Sequence, residues 1–109
     1  MRVDCTLDKT MPAEVRTEAE RLAEARFARF GRTIDAVKAS VMDVNGPRGG
    51  VDIRCRLLVK IHRGKQIVID ETAASVREAL TAAFERAGHA VSRRIDRLAR
   101  GRRRAPVGV

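Results

Sequence analysis

Residues 51–62, VDIRCRLLVKIH, alternate in polarity more regularly than any other part of the chain. Every odd position is apolar, and all the even positions except Leu58 are charged or polar. Strict alternation is typical of a β-strand that buries one face and exposes the other to water. This stretch therefore predicts a sheet that is covered on one side only, with the cover supplied by the rest of the chain.

Three further segments have the pattern of strands. Residues 1–7 alternate over a short length, and residues 34–44 form a longer apolar segment. Residues 66–70 follow Arg63-Gly64, a pair that suits a tight hairpin turn. The intervening NGPRGG at residues 45–50 is rich in turn formers and is expected to be a loop.

Two amphipathic helices are expected to provide the cover. The first has Thr10 as its N-cap candidate, carries apolar residues at spacings of three and four as far as Phe30, and is expected to end at Gly31. The second begins at Ser75 and keeps one apolar line as far as Leu98. Both helices can bury that line against the sheet.

The element order β-α-β-β-β-α predicts an α+β fold, a two-layer sandwich of a four-stranded sheet with both helices on one face. The first crossover makes the first two strands parallel, and the other pairs are antiparallel. We expect one domain over residues 1–100 and a basic, disordered tail over residues 101–109. At this size there is little room for a deep ligand cavity.

The chain carries 23 Lys and Arg against 14 Asp and Glu, a formal net charge of +9. A surplus of this kind indicates a polyanionic partner, with nucleic acid favoured over an anionic membrane surface. No apolar run has the length of a membrane span and no signal peptide is visible, so we expect a cytoplasmic protein. Cys5 and Cys55 are expected to be buried free thiols.

Most of the surplus charge lies in the second half of the second helix and in the tail that follows it. Residues 86–104 hold eight arginines and one acid, Asp96, a net charge of +7. At 100° per residue, Arg86, Arg93, Arg97 and Arg100 fall within a sector about 60° wide on one flank of the apolar line. Guanidinium groups bind phosphate oxygens in pairs of hydrogen bonds, so the row predicts an RNA-binding surface. Arg26 and Arg29 near the end of the first helix are expected to face the same groove.

The layout and two basic segments, RFARF at residues 26–30 and RRIDRL at residues 93–98, resemble the bacterial ribosome hibernation-promoting factors, also called ribosome-associated inhibitor A or sigma-54 modulation proteins. The resemblance implies a double-stranded-RNA-binding-like fold and a translation inhibitor that blocks the mRNA and tRNA sites of the small ribosomal subunit, active in the stress response. It also implies that basic residues of both helices contact rRNA. The positions that it marks are Arg26, Arg29, Arg86, Arg93, Arg94, Arg97 and Arg100.

No enzymatic site is expected. His62 and His89 have no partner nearby in sequence, and no spacing enforces a carboxylate pair among the aspartates, so we expect no catalytic residue, metal, cofactor or small-molecule substrate. Leu58 and Val68 on the open sheet face suggest an alternative, a structural module that dimerises through this face and binds an acidic protein. We accordingly expect a monomer or a weak homodimer.

Overall fold

The computed structural model describes residues 1–45 and 52–104, with side chains described as far as residue 100. The loop predicted at residues 45–50 therefore falls, after Asn45, outside the described residues. The elements follow the predicted order. They are β1 (Arg2–Leu7), α1 (Glu14–Phe27), a 3-10 segment (Ala28–Thr33), β2 (Ile34–Asp43), β3 (Ile53–Ile61), β4 (Lys65–Ala73) and α2 (Val76–Arg104).

The four strands form one sheet in the order β1-β2-β3-β4. β1 pairs with β2 in parallel, and the two remaining pairs are antiparallel, as expected. The parallel pair is possible because α1 connects β1 to β2. It returns the chain to the end of the sheet at which β1 begins, so β2 can run in the same direction. α1 packs over β1 and β2, and α2 packs over β3 and β4.

The core lies between the helices and the face of the sheet that the alternation of β3 predicted. Ile53, Cys55, Leu57, Val59 and Ile61 are all buried, and the opposite face of the sheet has no covering layer among the described elements. No polar or charged residue is buried within residues 1–45 and 52–100. The α+β two-layer sandwich with both helices on one face is thus confirmed.

The start of α1 differs from its prediction. Thr10 does not cap the helix, because its backbone N–H and its hydroxyl both donate to Oδ1 of Asp8. The helix begins at Glu14 instead and has no side-chain cap. α1 also ends earlier than expected, at Phe27, and the chain continues as a 3-10 segment in which Gly31 takes a left-handed φ of 57°.

The end of α2 differs as well. The helix continues to Arg104, so residues 101–104 are helical where a disordered tail was predicted. A glycine in a helix costs only about 1 kcal/mol relative to alanine, and arginine is a good helix former, so Gly101 does not stop the helix. Residues 105–109 lie outside the described part of the chain.

Candidate nucleic-acid interface

The start of α2 is fixed by the sequence motif SVRE at residues 75–78. The Ser75 hydroxyl accepts a hydrogen bond of 3.2 Å from the backbone N–H of Glu78, as an N-cap residue does. The helix then buries one apolar stripe against the sheet and α1. The fully or almost fully buried members are Ala79, Leu80, Ala83, Phe84, Ala87 and Val91.

Val91 is the last fully buried residue of the helix with a described side chain, and Ile95 is the last that packs against the core. We refer to residues 92–100 of α2 as the overhang. With 29 residues α2 is roughly 43 Å long, whereas a nine-residue strand such as β3 spans about 30 Å. Ile95 is only half-buried and Leu98 is 40% exposed, although both continue the apolar stripe.

The overhang carries four of the seven predicted RNA-binding arginines. Arg93, Arg97 and Arg100 are exposed, and Arg94 is half-buried on the side nearer the core. None of the four forms an ion pair or a side-chain hydrogen bond with another residue of the described segments. Their guanidinium groups are therefore available to an external anion.

Arg86 is in a different situation, although it belongs to the same row of the helix. Its Nη1 lies 2.6 Å from Oε1 of Glu71 on β4 and 3.3 Å from the carbonyl oxygen of Asp70. This pairing neutralises the Arg86 charge and ties α2 to the edge strand β4. Arg86 remains a predicted RNA contact, but its guanidinium already has two protein partners.

Arg86 and α1 lie on opposite flanks of α2. Arg86 faces β4, where it pairs with Glu71. On the other flank the ring of Phe84 packs 5.9 Å from that of Phe27, and Arg77 lies close enough to Glu18 to help lower its pKa, after the larger effect of the hydrogen bond from Arg21. A groove shared by Arg26, Arg29 and the arginines of the overhang stays a prediction.

Arg26 and Arg29 form a separate basic patch at the end of α1. Both side chains are exposed. The guanidinium carbon of Arg29 lies 4.6 Å from the centroid of the Phe30 ring, a cation–π arrangement that orients it. Neither arginine forms an ion pair within the part of the chain that the structure describes. This patch lies where α1 ends, close to the point at which Phe27 packs against Phe84 of α2.

A cleft that the sequence did not predict lies beneath the overhang. It has a volume of about 720 Å³ and is bounded by the overhang, the end of the 3-10 segment and the β3–β4 turn. We call it the terminal cleft. Its charged lining residues are Arg32, Arg63, Lys65 and Arg97, and His62 also lines it.

The open face of the sheet is less basic than its sequence suggests. Asp70 on β4 lies 3.0 Å from Nε of Arg54 and 3.9 Å from Nε of Arg56, so a single carboxylate offsets two arginines of β3. Leu58 and Val68 are directly opposed in the register, and Val68 is 48% exposed. This apolar pair is the feature on which the alternative of a dimer interface depends.

The remaining polar groups do not assemble into a recognisable catalytic or metal site. His62 lies 3.3 Å from Asp35 with both side chains largely exposed, and among the described residues no cluster of three potential ligands could hold a metal ion. Cys5 and Cys55 are free; Cys55 is fully buried, while Cys5 is only half-buried. No helix in the described ranges has both the length and the hydrophobicity needed to span a membrane.

The sequence matches no protein-family model and no curated protein. Its fold, in contrast, is shared with solved structures. A ribosomal subunit interface protein from Coxiella burnetii is 12% identical with a TM-score of 0.68, covering 88% of this chain and 99% of that one. The N-terminal domain of Protein Y from Thermus thermophilus is 18% identical with a TM-score of 0.64, covering 85% and 98% respectively. Both belong to the family that the sequence resembles, so the fold implied by the resemblance is confirmed.

Proposed function

We propose that this chain is a cytoplasmic, ribosome-associated inhibitor of translation that binds rRNA of the small subunit through the arginines of α2. The overhang is the observation that carries the proposal. Arg93, Arg97 and Arg100 are exposed and free of partners among the described residues, on a helix whose first half is held by the core. Unpaired guanidinium groups suit phosphate binding, since no internal ion pair has to be broken before they engage an anion.

The fold supports the choice of the ribosome over other RNA. One structure with this fold is described as a ribosomal subunit interface protein, and the likeness covers 88% of the present chain. At 12% identity the likeness does not carry individual arginines from one chain to the other. The positions of the contacts are therefore argued from the charge and exposure of residues in this chain alone.

Two exposed basic patches would contact the RNA. Arg26 and Arg29 are exposed at the end of α1, and the overhang carries the exposed arginines of α2. A folded body held by both patches in a site walled by rRNA blocks the path of mRNA and tRNA by occupancy, with no chemical step.

Co-sedimentation with purified small subunits at low salt tests this proposal. The wild-type chain is expected to migrate with the subunits, and a variant with Arg93→Ala, Arg97→Ala and Arg100→Ala is expected to remain at the top of the gradient. The control variant replaces three exposed arginines far from the overhang, Arg2, Arg16 and Arg21, with alanine, which removes the same charge. Free migration of the wild type, or equal release by both variants, would contradict the proposal.

A second candidate function rests on the apolar pair Leu58 and Val68 of the open sheet face. Under this alternative the chain is an interaction module that dimerises through the sheet and binds an acidic protein. Light scattering before and after nuclease treatment distinguishes the two, since a protein complex survives the nuclease. A Val68→Lys substitution is expected to abolish a sheet-mediated dimer while leaving ribosome binding unchanged.

A further inference from the structure

The terminal cleft has an apolar floor, in which Leu98 of the overhang is the large side chain most open to water. Leu98 is 40% exposed, whereas Ile95 is half-buried and Ile61, at the end of β3, is 1% exposed. A volume of about 720 Å³ is in the range of sites that enclose a ligand the size of a short peptide. Apolar area of this kind, open to water and surrounded by polar groups, marks a binding site.

The rim of the cleft is cationic on three sides. Arg32 lies on the 3-10 segment, Arg63 and Lys65 lie at the β3–β4 turn, and Arg97 lies on the overhang. None of these four side chains has an ion-pair partner within the described segments, and none of the lining residues is acidic. Four unpaired cations around an apolar floor raise the local potential and favour an anionic, amphipathic ligand.

The conformation of Arg63 adds an independent observation. Its φ is 74°, in the left-handed region that glycine and asparagine occupy at much lower cost than arginine. The next residue, Gly64, has a φ of 86°, so the turn places two left-handed residues in succession. Two left-handed residues in succession are typical of a tight hairpin turn, and here the turn holds a cationic side chain at the mouth of the cleft.

The floor discriminates between two classes of anionic ligand. Bases of single-stranded RNA stack on aromatic rings or on guanidinium planes; the cleft has no Phe, Tyr or Trp in its lining, and its three arginines lie at the rim and not on the floor. Isoleucine and leucine side chains instead accommodate the bulky apolar side chains of a peptide. The combination of an aliphatic floor and a cationic rim thus fits an acidic peptide better than RNA.

We propose that the terminal cleft is a docking site for an acidic segment of a partner protein, which inserts one or two bulky apolar side chains between the overhang and the β3–β4 turn. The carboxylates of the segment contact Arg32, Arg63 and Lys65 at the rim. The cleft opens on the inner side of the overhang, whereas the row of Arg93 and Arg100 lies on its outer flank. A partner protein and RNA therefore use different surfaces of one helix, with Arg97 at the boundary between them.

Titration of the full-length chain with the fluorescein-labelled peptide EDLFEDLED tests this proposal. Fluorescence anisotropy is expected to show saturable, micromolar binding, and NMR shift mapping is expected to place the largest changes at residues 61–65 and 95–99. The peptide EDSSEDSED, which keeps the charge and lacks the apolar residues, is expected to bind about tenfold more weakly. Equal binding of the two peptides, or changes spread over all basic regions, would overturn the proposal.

Two sets of variants locate the site. Arg63→Glu combined with Lys65→Glu is expected to weaken peptide binding at least about tenfold, whereas Arg26→Glu combined with Arg29→Glu, with the same change in charge, is expected to alter it less than about twofold. Arg63→Asn removes the rim charge while relaxing the turn, so a loss of binding in that variant cannot arise from misfolding. An unchanged affinity in Arg63→Asn would count against the cleft.

The remaining outcomes assign the cleft to another occupant and overturn the proposal. If an oligouridine displaces the peptide and shifts residues 61–65 to the same extent, the cleft is an RNA site. If the free chain sediments as a dimer whose dissociation exposes the cleft, its occupant is a second copy. Loss of ribosome co-sedimentation in the Arg93, Arg97 and Arg100 variant tests the proposed function separately, because only Arg97 is common to both surfaces.

Discussion

The two halves of α2 follow the same helical pattern and have opposite surroundings. Leu80 and Leu98 are 18 residues apart, five full turns, so they point in the same direction from the helix axis. Leu80 is 1% exposed and Leu98 is 40% exposed. The first half faces β3 and β4, whereas the second half has passed the end of the sheet. An apolar stripe thus indicates the core only where another element covers it, and where nothing does, it indicates a binding surface.

The arginines of the helix differ in the same way. Arg86, beside the sheet, pairs with Glu71, whereas Arg93 and Arg100 in the overhang have no partner in the described part of the chain. Beside the sheet, the charge of Arg86 holds the helix to β4. In the overhang, the charges of Arg93 and Arg100 remain available to an external anion. Two of the predictions below, Phe84 against Leu98 and Arg86 against Arg93, test this difference between the two halves of α2 directly.

The largest effect is expected at the core. Replacing Phe84 with alanine removes a fully buried ring that packs against Phe27, and the free energy of unfolding is expected to fall by about 3–5 kcal/mol. The same truncation at Leu98 is expected to lower it by less than about 1 kcal/mol, since the side chain is partly exposed already. Urea unfolding followed by circular dichroism measures both values. Equal losses would show that the overhang belongs to the core.

The response of the core to alkaline pH is the second prediction. Burial raises the pKa of Cys55 from 9.0 to about 12, with the nearby Cys5 adding to the shift. Because the folded-state pKa exceeds the unfolded one, the stabilisation from the neutral thiol is complete below pH 9 and is lost as the pH rises towards 12. The wild type is expected to lose up to about 1.4 kcal/mol per pH unit more than a Cys55→Ala variant over this interval. Parallel pH profiles of the two proteins in urea unfolding would contradict the assignment.

The affinity for rRNA is expected to distinguish Arg86, which is ion-paired, from the unpaired arginines of the overhang. Arg93→Ala is expected to weaken binding to small subunits by about three- to tenfold, the loss of one phosphate contact. Arg86→Ala is expected to weaken it by less than about twofold, because the guanidinium is already bound to Glu71 and to the Asp70 carbonyl. Filter binding at a fixed salt concentration provides the comparison. A larger effect at Arg86 would place the RNA along β4 and not along the overhang.

The smallest effect concerns the turn that faces the overhang. Arg63→Asn is expected to raise the free energy of unfolding by about 0.5–1 kcal/mol, because asparagine tolerates the left-handed φ of 74° better than arginine. Lys65→Asn is the control, since Lys65 is the first residue of β4 and lies outside the turn. A stability gain from Lys65→Asn and none from Arg63→Asn would remove the argument that the turn is strained.

Much of the fold was predictable because it depends on local periodicity. The alternation of β3 identified its buried face, and Ser75 correctly marked the start of α2. Thr10 shows the limit of this reasoning: a threonine two residues after an aspartate has a competing partner, and Asp8 takes its hydrogen bonds. Similarly, Gly31 marked a change of direction but not the end of α1, because a 3-10 segment intervenes.

The site was predictable only in part. A helical projection gives the angle between the arginine row and the apolar stripe, and the exposed arginines of the overhang are consistent with it. The projection cannot tell which neighbour lies on which flank, so it did not show that Arg86 faces β4 and pairs with Glu71. The terminal cleft was also missed, since it arises where a long helix overlaps the ends of shorter strands, and that relation exists only in three dimensions.

The salt dependence of binding to purified small subunits tests the central claim most directly. For each arginine–phosphate contact, the slope of log K against log salt concentration is expected to change by about 0.7–0.9. The Arg93→Ala, Arg97→Ala, Arg100→Ala variant is therefore expected to have a slope shallower by about 2–3 than that of the wild type, with its stability unchanged. Identical slopes for the two proteins would contradict the claim that the open half of α2 binds the phosphates of rRNA.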